Sequence, residues 1–450
     1  MSDKPNIVFV FADQMRAQSM SWSGDPNAIS PTFDRFSKEA TCFENAISGC
    51  PVCCPARASL ITGQYPHKHG VFLNDVSLGH DATSIAQAFT AGGYDTGYIG
   101  KWHLHGKGRS AFIPREERQG FDYWQVRECT HDYWDAHYFS DTPEKKVWEG
   151  YDAFAQTQQA CDYMKDHASS DKPFLLMLSW GPPHSPYETA PQAYRNMFDP
   201  ARIKLRENVA PEDEQKSRET LAGYYAHIAA LDDCFDQLDQ QLQTLGISDN
   251  TILVFWSDHG DMMGSRGAWN KQRPWDESIR VPLMIRWPKG IQQTAGQLLT
   301  SPMNTPDMMP TLLDLAGLDI PQTVQGQSYA DYIRTGKDAP ADAALIACYW
   351  PFGQFIRKQG GTEFRGVRDE RYTFVRNLQG PWLLYDNQTD PYQLDNLVNK
   401  PEHAALQARL DQSLAGLLEK YDDKLESGQV LLDLHGHTGL DENGTMPYVN

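Results

Sequence analysis

The chain is expected to fold as an α/β protein: a large mixed, mostly parallel sheet sandwiched by helices, followed by a smaller C-terminal α+β domain. Three observations predict this. Short apolar, β-rich runs alternate with longer helical patterns along most of the 450 residues, as in parallel sheets covered on both faces. Chemically reactive residues follow the apolar runs directly, and in open sheets of this kind the ligand cleft lies beyond the carboxyl ends of the strands. Past a stretch rich in Pro, Gly, Gln and Asp at 318–342, which reads as a linker, the pattern changes to short paired strands and one helix.

Taken in order, the expected strands of the large sheet are Asn6–Phe11, Tyr94–Ile99, Phe174–Ser179, Thr251–Trp256 and Pro282–Arg286. Helical patterns lie between them at Ala82–Ala91, Ala153–Asp166 and Lys216–Leu245. In the last, Leu221, Tyr225, Ile228, Leu231, Phe235 and Leu238 recur at three- and four-residue steps, the period of a buried helix face. These elements define a catalytic domain over 1–340. In 341–450, residues 365–376 and Pro381–Asp386 read as two antiparallel strands, Pro401–Tyr421 as a helix and the last twenty residues as an irregular tail.

Composition narrows the function classes. Hydrophobic residues at 40% and aromatics at 11% are enough for a large core and exclude a disordered chain. A net charge of −19 with no balancing basic block excludes nucleic acid as partner. If the substrate is anionic, its attraction must then be local, from a metal ion and a few basic side chains. No apolar run has the length of a membrane span, so no membrane is expected. Met1 leads within a few residues into the first strand, with no signal peptide. A cytoplasmic location follows, or a periplasmic or secreted one if a leader has been removed. The eight cysteines form no disulfide framework.

Three of those cysteines cluster in Cys50-Pro-Val-Cys53-Cys54-Pro55-Ala56-Arg57. Cys53 sits ahead of Pro55, with Arg57 four positions on and a helix-compatible stretch following. This is the arrangement of an anion-directed nucleophile at a helix N-terminus, where backbone N–H groups favour negative charge. The other readings are buried free thiols beside a loop proline and a zinc site, for which a second Cys-x₂-Cys pair is missing. Asp13-Gln14 and Asp258-His259 follow the first and fourth apolar runs. Two carboxylates, an amide oxygen and a histidine suit calcium or magnesium better than zinc. Taken singly, each Asp also reads as a helix cap or turn residue.

The string Cys53-x-Pro55-x-Arg57, continued by Leu60-x-Thr62-Gly63-x-x-Pro66, resembles the signature of type I sulfatases, the formylglycine-dependent family of the alkaline phosphatase superfamily. The resemblance runs on through Gly100-Lys101-Trp102-His103, Pro183-His184-x-Pro186-Tyr187, Ser257-Asp258-His259-Gly260 and Lys271 ahead of Glu277-Ser278-Ile279-Arg280. It implies an alkaline phosphatase-like fold and hydrolysis of a sulfate ester. It further implies oxidation of Cys53 to Cα-formylglycine by a formylglycine-generating enzyme, since a hydrated aldehyde offers one hydroxyl to attack sulfur and another to expel sulfate later. Asp13, Gln14, Asp258, His259 and residue 53 would bind a Ca²⁺ or Mg²⁺ ion. Arg57, Lys101 and His103 would hold the aldehyde hydrate, and His184 and Lys271 would grip the sulfate, one of them protonating the leaving alcohol. His103 or Asp258 would serve as base in the second step.

Two positions depart from the family pattern: Gln14 where a second aspartate is common, and Ala56 where serine is common. Both also occur in relatives that hydrolyse phosphonate monoesters and phosphodiesters, which keeps phosphoryl chemistry open at this point. The expected cleft rim is dense in basic and aromatic residues: His105, Lys107, Arg109, Arg115, Arg118, Trp124, Arg127, His131, Tyr133, Trp134 and His137 in 105–140, and Arg266, Trp269, Arg273 and Trp275 in 262–276. Arginines for anions and ring faces for pyranoses favour a sulfated small molecule or oligosaccharide as substrate.

Overall fold

A computed structural model describes residues 4–447; the first three residues of the opening segment and the last three of the tail lie outside it. The large sheet has eight strands: β1 (Asn6–Asp13), β2 (Thr41–Phe43), β3 (Asp95–Lys101), β4 (Tyr123–Arg127), β5 (Phe174–Pro183), β6 (Thr251–Ser257), β7 (Leu283–Arg286) and β8 (Leu298–Leu299). Their spatial order is β8-β2-β7-β6-β1-β5-β3-β4. β1 pairs in parallel with β5 and β6, and β3 with β4 and β5. Only β7 runs antiparallel to its neighbours in this sheet.

β1 is apolar throughout because both of its faces are covered. Ile7, Phe9 and Phe11 point into one core, against Leu60 and Ile61 of α1 (Cys53–Thr62) and the helix Met308–Leu315. Val8, Val10 and Ala12 point into the other, against α2 (Asp152–His167) and α3 (Glu214–Thr244). The predicted strands and long helices are present with boundaries shifted by one to four residues. The largest shift is at the end of β5, which runs to Pro183 instead of Ser179; at Ala82, Ser84 and Gln87 form a capping box and start the helix at Ile85. No helix among the described residues is long and apolar enough to cross a membrane.

A second sheet of four antiparallel strands follows: β9 (Ala343–Cys348), β10 (Phe364–Asp369), β11 (Tyr372–Asn377) and β12 (Gly380–Asp386). One face packs under α4 (Ala404–Tyr421) through Val367, Phe374, Leu384, Leu410 and Leu414. The other packs through Ile346, Phe364, Val375 and Tyr385 onto Ile47 and Ile279 of the large domain.

Three expectations are corrected. The run 365–376 is two strands, because Asp369 Oδ1 accepts the backbone N–H groups of Arg371 (2.8 Å) and Tyr372 (2.5 Å) and folds the chain into a turn. The stretch 318–342 is not a bare linker: it contains the helix Ala330–Thr335, whose Ala330 and Ile333 are fully buried. The tail is helical at its start, over Gly428–His435.

The small sheet is tied to the chain beyond α4 by a buried ion pair. Arg365 Nε lies 2.5 Å from Asp423 Oδ2, and neither side chain is more than 3% exposed. Removing one partner of such a pair leaves an uncompensated charge in the interior. Arg365→Met is therefore expected to cost about 3–5 kcal/mol of stability, read from urea midpoints. Adding Asp423→Leu should recover a large part of that loss, and no recovery would assign the cost to packing alone.

Candidate active site

α1 is buried along its whole length, begins at Cys53 after the extended Val52, and ends at Gly63, whose φ of 65° closes the helix. Cys53 is thus the first residue of a buried helix, aimed at the carboxyl ends of β1, β3, β5 and β6. Its Sγ lies 3.0 Å from Lys271 Nζ, 3.2 Å from His259 Nε2, 3.7 Å from Asp13 Oδ1 and 3.8 Å from Lys101 Nζ. Asp13 ends β1, Lys101 ends β3 and Asp258 follows β6, so the sheet itself brings these residues together.

Gly100 makes the approach of β3 to β5 possible. Its φ is 103°, and a Cβ there would sit 2.0 Å from the Ser179 carbonyl oxygen.

Arg57, one turn beyond Cys53, is the hinge of the charge network. It reaches Asp258 Oδ2 at 3.0 Å and Asp13 Oδ2 at 3.2 Å, and donates to the Lys101 carbonyl and Ser179 Oγ at 2.8 Å each. Lys101 Nζ lies 2.5 Å from Asp13 Oδ2. Burial opposes ionisation of Asp13, but Lys101, His184, Arg57 and Lys271 outweigh it and hold the carboxyl well below its usual range. Asp258 is pushed the other way by burial and by Asp13. Burial also disfavours the Cys53 thiolate, yet Lys101, Lys271 and His259 bring the group well below an ordinary thiol.

Ligand atoms of Asp13, Cys53, Asp258 and His259 all lie within 4.8 Å of one another, and all four residues are buried. The set fits a divalent cation on two counts. Two crowded carboxylates, one of them raised by the other, are what a cation relieves. His259 Nδ1 donates to the Gly260 carbonyl (2.9 Å), which leaves Nε2, 3.2 Å from Cys53 Sγ and 3.6 Å from both carboxylates, as the ring nitrogen that faces the cluster.

Gln14 is differently engaged. With φ 70°, it gives its backbone N–H to Asp258 Oδ1 and its Nε2 to Asp261 Oδ2 (2.6 Å) and the Tyr187 hydroxyl (3.1 Å). Its Oε1 accepts from Lys271 Nζ at 2.9 Å.

His103 and His184 stand further from Cys53, and no hydrogen bond joins either to it among the described residues. His103 Nε2 lies 3.2 Å from Asp75 Oδ1, and Arg109 grips the same carboxylate with two bonds. His184 Nδ1 donates to the Ser185 carbonyl at 2.9 Å. Burial, His131 and Lys271 push its pKa well down. Asp75 was not singled out from the sequence, because Asn74-Asp75-Val76 carries no motif and its partner His103 is distant along the chain.

The predicted rim is partly corrected. Arg118, Trp124, Arg127 and Tyr133 are at most 2% exposed, because 123–127 is the edge strand β4 and its neighbours fill the core below it. Arg266 is stacked on Trp275, and Trp269 is covered by Lys216.

The site thus places a buried thiol near two lysines and beside a pair of carboxylates that could hold a cation. The sulfatase family model matches residues 5–318, and that of the C-terminal part of N-sulphoglucosamine sulphohydrolase matches 264–420. An ulvan-active sulfatase of Formosa agariphila is 42% identical over 99% of this chain and 87% of that protein. An endo-4-O-sulfatase of Bacteroides thetaiotaomicron is 29% identical over 96% and 95%. A solved structure from work on glycosaminoglycan metabolism by the same bacterium superimposes with a TM-score of 0.86 at 28% identity, covering 96% of this chain and 99% of that one. The chain belongs to the sulfatase family, with the alkaline phosphatase-like fold, and is a sulfuric ester hydrolase.

Behind the site, Glu128 Oε1 accepts the backbone N–H groups of His105 (2.8 Å) and Gly106 (3.1 Å), while Oε2 is buried without a hydrogen-bond partner. Burial raises its pKa from 4.5 to about 7. A carboxyl whose folded pKa lies above its unfolded one binds more protons when folded, so stability falls as pH rises between those values. Wild-type protein should lose on the order of 3 kcal/mol from this group between pH 4.5 and 7. Glu128→Gln should flatten that part of the stability–pH curve, and an unchanged slope would assign the titration elsewhere.

Proposed function

We propose that this sulfatase removes an O-sulfate group from a carbohydrate or oligosaccharide, with residue 53 matured to formylglycine by a formylglycine-generating enzyme and with calcium as the resident cation. One observation carries the reading: the Cys53 side chain lies between groups that hold a cation (Asp13, Asp258, His259) and groups that hold an anion (Lys101, Lys271). When present, the formylglycine hydrate supplies the nucleophilic oxygen and the cation lowers the cost of its ionisation and of charge on the sulfuryl oxygens.

The remaining work falls to this chain's own residues. Asp13, Asp258 and His259 hold the cation, and Gln14 joins them if Lys271 turns from its Oε1 to the substrate. Arg57 fixes both carboxylates, so neither reorganises during the reaction. Lys101, held against Asp13, would offset negative charge at position 53, and His103, braced by Asp75, would help to hold the matured side chain there. Lys271 and His184 bind the sulfate from the open side. An alkoxide leaves poorly, so a positioned acid is needed, and His184 is that acid. Its pKa is depressed in the free protein, and a bound sulfate ester raises it again by placing negative charge between it and Lys271. Asp258 or His103 takes the proton in the second step. That the relatives at 42% and 29% identity are sulfatases supports sulfate over phosphonate, and that one is active on ulvan and the other is an endo-4-O-sulfatase supports a saccharide.

Cys53→Ala should abolish sulfate release while leaving the melting curve intact. Intact-mass analysis of active wild-type protein should show a deficit of about 18 Da at residue 53, the difference between a thiol and an aldehyde. Turnover by fully reduced, unmodified protein would overturn the nucleophile. Chelation with EDTA should remove activity, and calcium should restore it. A panel of defined sulfated mono- and oligosaccharides, read by sulfate release, tests the substrate class; release from aryl sulfates alone would refute it.

A further inference from the structure

His184 does not stand alone. The imidazole of His131 lies against it face to face, with ring centroids 4.2 Å apart and planes only 2° from parallel. Both rings are half-buried. His131 belongs to the short loop after β4, 53 residues away along the chain, so the stack is a tertiary contact between two loops.

Both loops are built to hold it. Arg127, fully buried at the end of β4, pairs with Asp152 at 2.8 Å and donates to the Asp132 carbonyl at 2.5 Å, which fixes the chain on the far side of His131. Tyr133, 1% exposed, directs its hydroxyl at the carbonyls of Gly181 (3.3 Å) and Ser185 (3.2 Å). The Ser185 carbonyl is also the acceptor of His184 Nδ1–H. Gly181 is what lets the loops meet: a Cβ there would sit 2.4 Å from Arg127 Nη2 and 2.7 Å from Tyr133 Cε1. The imidazole of His184 is thus held at its edge by a carbonyl and on one face by a parallel ring. A carbonyl only accepts, so the held edge is Nδ1–H, and Nε2 is the nitrogen left for the substrate.

We propose that His131 is a positioning residue for leaving-group protonation: by stacking on His184 it keeps Nδ1 on the Ser185 carbonyl and Nε2 turned to the scissile oxygen. It touches no reacting atom and acts by denying His184 other ring orientations. The proposal rests on the assignment of His184 as general acid, and it replaces the reading of His131 as a substrate-facing rim residue.

The test is a series of substituted phenyl sulfates, from 4-nitrophenyl sulfate, whose leaving group needs no proton, to phenyl sulfate, whose leaving group does. In His131→Ala, kcat for phenyl sulfate should fall about tenfold or more, with KM little changed and 4-nitrophenyl sulfate hydrolysis within about twofold of wild type. His131→Phe keeps a stacking ring without ring nitrogens and should restore most of the loss. An equal loss on both esters would make His131 merely structural, and a Phe variant as poor as Ala would mean that it acts through a nitrogen; either result overturns the proposal. His184→Ala in the same series separates the two assignments. If it shows no leaving-group dependence, the general acid lies elsewhere; if it does and His131→Ala does not, only the stack is refuted. Crystal structures of the variants give a readout free of turnover: the His184 ring should leave the Ser185 carbonyl in His131→Ala and remain on it in His131→Phe. A ring unmoved in the alanine variant would also overturn the proposal.

Discussion

Two carboxylates buried within reach of one guanidinium are the constraint on which this structure depends. Asp13 and Asp258 come from adjacent parallel strands, so their proximity is set by the pairing of β1 with β6 and cannot relax without breaking the middle of the sheet. Arg57 spans both, and Lys101 meets Asp13 at the same oxygen, Oδ2, which leaves Oδ1 facing Cys53 and His259. Removing charges of this kind from water is expensive, and only mutual pairing with further hydrogen bonds offsets the cost. The backbone carbonyl of Lys101 and the Ser179 hydroxyl provide those bonds for Arg57. The result is a buried, cross-braced site in which charge is already in place before a substrate enters.

That arrangement also explains how an acidic protein handles an anionic ester. The net charge of −19 is spread over the whole chain, and its field at the site is screened over about 8 Å at physiological ionic strength. Lys271 and Lys101, by contrast, lie 3.0 and 3.8 Å from the Cys53 sulfur. At a spacing of about 4 Å and an effective dielectric of about 20, a single pair of unit charges interacts by about 4 kcal/mol, so local cations outweigh the distant field. Lys271 itself lies on a segment without regular secondary structure, and the small sheet holds that segment in place. Arg368 of β10 grips Asp276, and Arg273 donates to the Gln354 carbonyl while its guanidinium covers Phe355. The C-terminal sheet thus serves the chemistry without contributing a residue to the cluster around Cys53.

Much of this was legible in the sequence because the two codes involved are local. Continuous apolar runs mark doubly covered parallel strands, and Asp13, Lys101 and Asp258 stand where those strands stop. What was not legible depends on pairing between distant segments. Residues 123–127 look like a basic and aromatic rim, but they add an edge strand to the sheet, and that buries Trp124 and Arg127. The single run at 365–376 is broken by the Asp369 side chain capping the backbone N–H groups of a turn, a bond that hydrophobic pattern does not report. Gln14 reads as a plain oxygen donor, whereas its amide is shared between Asp261, Tyr187 and Lys271, partners from two segments far from it along the chain. The stack of His131 on His184 is of the same kind.

The adjacent pair Cys53-Cys54 shows how little separates a reactive side chain from an inert one. Successive helical residues point about 100° apart, so one rotation sends Cys53 toward Lys271 and His259 while Cys54 turns into the core beside Phe72 and Leu73. Cys54 donates its thiol hydrogen to the His103 carbonyl at 2.9 Å, and burial pushes its pKa up. Both thiols experience the same kind of desolvation. What differs is that Cys53 faces two lysine ammonium groups and the His259 imidazole, and its neighbour faces a carbonyl dipole. Both cysteines precede Pro55 within two positions, so composition alone does not tell them apart; the rotation of the helix about its axis is what turns Cys53, and not Cys54, to the carboxyl ends of β1 and β6.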